Sequence, residues 1–242
     1  MSYITTKNQY ITVSNNKIVY RELSKGKSDL PLVMLVHLAA ILDNWDPKLL
    51  DLLAEKHHVI VLDLPGVGAS QGKVAPTIPG MAEQAVAIIK ALGHEKINLL
   101  GLSMGGFIAQ EIVRLDSQLV NRLILAGTGP RGGFEVDKVT GKTFRYMLKA
   151  GLERVDPKRY IFYNHDEAGR LEAEKVLGRM GQRSAAHADK DMQVPTENSY
   201  TMHEKIKNSQ LIIYPNAGHG SIFQNAEDFS KALLAFLEET NA

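Results

Sequence analysis

The apolar positions of the chain follow two different periods. Residues 9–13 and 17–22 alternate apolar with polar side chains, and Ser14-Asn15-Asn16 between them supplies turn chemistry, so a β-hairpin is expected. Four later runs, 32–36, 59–62, 97–100 and 123–126, are continuously apolar. Short unbroken runs suit strands covered on both faces. Helical stripes separate them: Leu49, Leu50, Leu52 and Leu53 in one, Met81, Ala85, Val86, Ile88 and Ile89 over 78–92, and a third over 104–114. Strands alternating with helices predict right-handed crossovers and a mainly parallel sheet flanked by helices, which is the α/β class.

After Gly129 the pattern changes. Segment 131–181 is helical in period, charged, and free of strand-like runs. It is expected to form a short helical cap inserted over the C-terminal edge of the sheet, where open α/β sheets bind ligands. The core is then residues 1–130 and 182–242. A further strand is expected over 211–214, and an amphipathic helix over 226–237 closes the chain.

Composition narrows the function. A chain of 242 residues suits one large α/β domain with a modest insertion. Its 28 basic and 27 acidic residues leave a formal charge of +1, which points to neither a nucleic acid nor a membrane surface as partner. The chain has no cysteine, which excludes disulfides, thiolate metal sites and a cysteine nucleophile, and fits a reducing, cytoplasmic setting. Residues 1–10 lack the features of a signal peptide, and no apolar run approaches the ~20 residues of a membrane span. There is no phosphate-binding Walker loop, and Gly66 and Gly68 do not form a dinucleotide fingerprint. No pair of histidines has metal-binding helical spacing, so chemistry without a cofactor is expected, on a small-molecule substrate.

One segment carries that chemistry. Gly101-Leu102-Ser103-Met104-Gly105-Gly106 sits directly after a buried run and directly before a helical stripe. A strand-to-helix turn of this kind presents a serine as a nucleophile, and its glycines are needed where side chains would collide. The plain alternative is a glycine-rich turn whose serine caps the helix. A serine hydroxyl needs a base to take its proton, and His219 is the strongest of the eight histidines. It lies in Ala217-Gly218-His219-Gly220, beyond the last apolar run and before the final helix, at the same sheet edge as Ser103. His57 and His58 belong to the opposite edge, and His94, His165, His187 and His203 lie in polar segments.

These residues, with the Asp63-Leu64-Pro65-Gly66-Val67-Gly68-Ala69-Ser70 turn and the Gly127-Thr128-Gly129-Pro130 strand end, give a resemblance that covers nearly all of the chain outside the cap. The chain resembles the α/β-hydrolase superfamily, near its cofactor-free haloperoxidase-like and esterase-like branch. The resemblance implies an oxyanion hole made by the N–H of Met104 and a second N–H from His37-Leu38-Ala39-Ala40, where Leu38 replaces the usual glycine; either Leu38 or Ala39 is the donor. His37 is expected to brace that loop, Trp45 to pack its helix, and Asp63 to brace the glycine-rich turn.

The triad acid is the open position. Asp191 fits the superfamily's acid loop, with Ala188 at its glycine, and the order Ser103, Asp191, His219 is the expected one. The stretch before it, 181–188, is small and polar where a buried strand belongs, and 130–195 is shorter than in this branch by roughly a helix and a strand. Asp189, Glu135 and Asp137 are the alternatives. The expected activity is a serine hydrolase acting on a small ester, thioester or lactone through Ser103, His219 and Asp191. Two rivals remain: a non-catalytic ligand-binding or interaction protein that keeps the fold, and haloperoxidase or perhydrolase chemistry on the same serine. The shortened sheet also raises the expectation of self-association into a homo-oligomer.

Overall fold

The computed structural model describes residues 2–133, 139–181, 197–215 and 217–239. The chain opens with the hairpin of β1 (Gln9–Val13) and β2 (Asn16–Leu23), whose turn places Ser14 and Asn15 in the left-handed region at φ 47° and 63°. There follow β3 (Leu32–Leu35), α1 (Pro47–Ala54), β4 (Val59–Leu62), α2 (Ile78–Ala91), β5 (Ile97–Leu102), α3 (Met104–Leu115) and β6 (Val120–Ala126). The six strands form one sheet in the order β1-β2-β4-β3-β5-β6. The β3–β4, β3–β5 and β5–β6 pairs are parallel, and the hairpin is antiparallel throughout. The chain runs from β3 to β4 on one side and then crosses back to β5 on the other. The strand order therefore reverses between β3 and β5, where open α/β sheets hold their ligands.

Every residue of β3, β4 and β5 is buried, as their unbroken apolar runs require. Helices α2 and α3 cover one face, on a core of Ile88, Ile89, Leu99 and Ile112. The other face is covered by α1, α6 (Glu167–Gly181) and the final helix α9 (Ala226–Glu238), with Trp45, Leu49, Val176 and Leu233 among the buried contacts. Trp45 is fully buried and meets the edge of Phe223 at 6.1 Å, so it belongs to the core and not to a substrate wall.

Between β6 and the chain's last quarter lie α4 (Val139–Glu153), α5 (Lys158–Phe162) and α6, all helical as the sequence suggests, and then α7 (Glu197–Lys205), which the apolar pattern does not announce. The strand expected over 211–214 is not formed. These residues join no ladder, and Ile212 and Ile213 are 50% and 41% exposed. β-propensity supplies only half of a strand; the other half is a neighbour offering free N–H and C=O groups. Among the described residues β6 pairs with β5 alone and is the sheet's edge. Six of its seven residues are only partly buried, in contrast to β5.

One ion pair ties the helical insertion to the core. Asp46 caps α1 by accepting the Lys48 N–H at 3.0 Å, and its fully buried carboxylate also takes both prongs of Arg179 on α6, at 2.9 and 2.5 Å. Removing the guanidinium leaves a buried charge with one remaining hydrogen bond. Arg179→Met is expected to lower the unfolding free energy by about 2–4 kcal/mol in urea titrations; an unchanged midpoint and slope would show that the pair holds nothing in place.

Candidate active site

The backbone is tightly packed where β5 gives way to α3. Ser103 has φ 55° and ψ −117°, a conformation that costs a side-chain-bearing residue energy and persists only where its surroundings impose it. Those surroundings are glycines. A Cβ at Gly101 would lie 2.4 Å from the Gly105 carbonyl oxygen, and one at Gly105 would lie 2.1 Å from that of Leu35. One at Gly106 would strike the Thr128 side chain at 2.4 Å. Strand β5, helix α3 and strand β3 thus approach closely enough to force the turn, while Ser103 N–H still donates to the Ala126 carbonyl at 2.9 Å. The alternative of a capping serine is not realised, because the side chain makes no cap hydrogen bond.

The base candidate arrives from the far end of the chain. His219 is buried, and its Cε1 and Nδ1 lie 3.2 Å from where a Cβ at Gly127 would stand. Leu102 and Ala126 are register partners in β5 and β6, so Ser103 and Gly127, the next residue on each strand, sit side by side across the ~4.8 Å strand spacing. The imidazole therefore packs at the C-terminal end of β6, the strand next to the one that ends at Ser103. Gly127 has φ 50° and must stay bare for the ring to pack there.

Phe162, at the end of α5, holds the base loop. Its carbonyl accepts the Gly220 N–H at 2.8 Å and lies 2.4 Å from where a Cβ at Gly218 would be. Its ring packs between two imidazoles, 5.0 Å from His219 and 4.8 Å from His37. Sequence reasoning missed this residue, because nothing local marks one phenylalanine in a charged helical stretch as the contact of a loop 57 positions later. It also missed Asn198 on α7, which is fully buried against Gly129 and Gly133 beyond β6.

His37 Nδ1 lies 3.0 Å from the Leu38 carbonyl and braces the loop after β3. Ala39 has φ 54°, so the left-handed residue is this alanine and Leu38 is spared. The N–H groups of Leu38, Ala39 and Met104 donate to no protein acceptor. Met104 stands at the first position of α3, where helix amides lack internal partners and favour negative charge.

Asp63, at the end of β4, braces the neighbouring loops. Its carboxylate accepts the Leu42 N–H at 2.6 Å, and its carbonyl accepts the Ser70 hydroxyl, which in turn accepts the Val19 N–H. Burial, helped by nearby Asp43, pushes its carboxyl up to about 7 against the opposing pull of the Leu42 hydrogen bond and Arg21. Asp191, Asp189, Glu135 and Asp137 lie outside the described residues. Among the described residues no three His, Asp or Glu side chains group closely enough to hold a metal ion, and no helix is long and apolar enough to cross a membrane.

A strained serine at a strand-to-helix elbow, at the C-terminal edge of a mainly parallel sheet, is the arrangement of an α/β hydrolase. The family model for the α/β hydrolase fold matches residues 31–156, over half of the chain, and the chain belongs to that family. The solved α/β-hydrolase fold protein from Chitinophaga pinensis is 26% identical, superposes with a TM-score of 0.88, and is aligned over 99% of this chain and 100% of its own. The 2-hydroxy-6-oxo-6-(2'-aminophenyl)hexa-2,4-dienoic acid hydrolase of Metapseudomonas resinovorans is 23% identical over 95% of this chain and 90% of its own. That alignment runs over 277 positions against a chain of 242 residues, so the relative has segments that this chain lacks. The non-heme haloperoxidase of Rhodococcus erythropolis is 24% identical over 95% and 99% of the two chains. The protein is an α/β-hydrolase enzyme.

The raised Asp63 value gives stability a sign with pH. The folded state holds this proton more tightly than an unfolded chain, whose aspartate titrates near ~4, so the contribution is complete below that pH and is lost as pH rises through about 7. Asp63→Asn is expected to lose less stability than the parent between pH 4.5 and 7.5 in denaturant titrations. Parallel curves for the two proteins would show that Asp63 titrates normally.

Proposed function

We propose that the chain is a serine hydrolase that cleaves a small ester, thioester or lactone through an acyl-enzyme on Ser103. The observation that carries this reading is the forced left-handed backbone of Ser103 at the strand-to-helix elbow, with His219 packed against Gly127 at the neighbouring strand end. In the first half-reaction the Ser103 Oγ attacks the acyl carbon while His219 takes the hydroxyl proton. The oxygen of the tetrahedral intermediate is held by the N–H of Met104 and that of Leu38 or Ala39. The bond to the leaving group then breaks, and His219 returns the proton to the departing atom. Water, activated by the same base, attacks the acyl-enzyme and restores the serine.

Asp191 is assigned as the acid that orients His219. Its match to the superfamily's acid loop and its place between Ser103 and His219 in the chain support it. A perhydrolase reaction, in which hydrogen peroxide replaces water and releases a peracid, draws its support from the coverage of the Rhodococcus haloperoxidase. The absence of cysteine supports a cytoplasmic setting.

Short-chain p-nitrophenyl esters and a fluorophosphonate, followed by intact mass, test the reading. The parent is expected to turn over and to gain one adduct, and Ser103→Ala to lose the adduct and about 10⁴-fold or more in rate. Asp191→Asn is expected to keep the adduct site but lose about 10³–10⁴-fold in kcat. Turnover that survives Ser103→Ala would refute the assignment of the nucleophile, and an unchanged Asp191→Asn rate would move the acid elsewhere.

A further inference from the structure

Helix α4 carries two unlike sides. Thr143 and Ala150 are 5% and 0% exposed, and Tyr146 and Met147 pack against the core, so positions three and four apart define its inner side. A helix that only covers a sheet turns a polar side to water. The outer side of α4 is apolar instead: Phe144, Leu148 and Leu152, each four residues from the next, are 66%, 61% and 81% exposed. On the same side, a Cβ at Gly141 or Gly151 would meet nothing within 4 Å.

Positive charge is gathered at the same place. The formal charge of +1 averages an uneven distribution, because residues 139–159 hold six basic side chains against two acidic ones. Both acids are engaged within the insertion, Asp156 by Lys158 at 3.7 Å and Glu153 by the Tyr160 hydroxyl. Lys142, Arg145 and Lys149, again three and four apart, form an exposed row directly beside the apolar one.

We propose that α4 is a membrane-surface contact: it lies in the plane of an anionic phospholipid bilayer, with Phe144, Leu148 and Leu152 at the acyl boundary and Lys142, Arg145 and Lys149 on the lipid phosphates. A helix with one apolar side and a basic flank suits that interface, where burial of the apolar row and attraction to negative lipid add. Each cation near such a surface strengthens binding by about fivefold. A second copy of the chain fits this face less well on two counts. The three apolar side chains present on the order of 400 Å², about half of what each partner gives in a stable protein interface. A twofold contact between two α4 helices would also bring the same row of cations against itself. A negative lipid surface turns that row into an attraction. The contact does not depend on the serine-hydrolase reading.

The test is co-sedimentation of the full chain with sucrose-loaded vesicles, of phosphatidylcholine alone and of phosphatidylcholine with about one-third phosphatidylglycerol. Two double variants stand beside the parent, Leu148→Gln with Leu152→Gln, and Arg145→Gln with Lys149→Gln. All four side chains are exposed and glutamine is a good helix former, so the circular dichroism of both variants is expected to match the parent. The parent is expected to bind the phosphatidylglycerol vesicles about tenfold or more tightly than phosphatidylcholine, and to lose most of that binding as salt rises from ~0.05 to ~0.5 M. Each double variant is expected to lose about tenfold or more in partition coefficient. Equal binding to both vesicles, or binding that either variant leaves unchanged, would overturn the proposal. So would a parent that binds no vesicle: a dimer in sedimentation equilibrium that dissociates in Leu148→Gln with Leu152→Gln would then make the face a contact between copies, and a monomer would leave it without a partner.

Discussion

The site depends on a close approach of three backbones around one residue. Strands β3 and β5 and helix α3 meet at glycines 101 and 105 with no space for a single additional carbon, the Thr128 side chain closes the space over Gly106, and the strain of that approach is concentrated in the left-handed conformation of Ser103. Packing of this density has discrete solutions rather than a continuum. The serine is consequently fixed by the core and not by its own loop. The parallel register then carries that precision sideways, from Ser103 on β5 to Gly127 on β6, against which the imidazole rests.

The two halves of the site are supported differently. Ser103 and the amides around it stand on buried strands and the first turn of α3. His219 stands on a loop whose nearest strand-like segment, 211–214, enters no ladder. Its support comes from the helical insertion: the Phe162 carbonyl holds Gly220, the Phe162 ring packs on His219, and the Asp46–Arg179 pair anchors α6 to the core.

The legible parts of the sequence were those whose cause is local. Continuous apolar runs placed β3, β4 and β5 because burial on both faces is a property of each strand's own residues, and a run of the same kind placed β6 although most of it is only partly buried. The elbow was legible because glycines at 101, 105 and 106 answer a steric demand of the immediate turn. The loop after β3 was half legible: Leu38 at an expected glycine position drew notice, but the left-handed residue is Ala39, which only the backbone path decides. The expected strand at 211–214 failed because its apolar side chains say nothing about whether a neighbour is present. Phe162 and Asn198 were silent for the complementary reason, since their roles consist entirely of partners distant in the chain.

The dependence of His219 on Phe162 also bears on how this enzyme can change over generations. In a fold whose lid merely covers the sheet, the lid can be exchanged, lengthened or lost while the reactive groups stay in place, and new substrates are acquired at little cost to chemistry. Here the short helix α5 holds the His219 loop by its backbone, through the Phe162 carbonyl and the Gly220 N–H. Drift in the insertion is therefore coupled to the position of that loop.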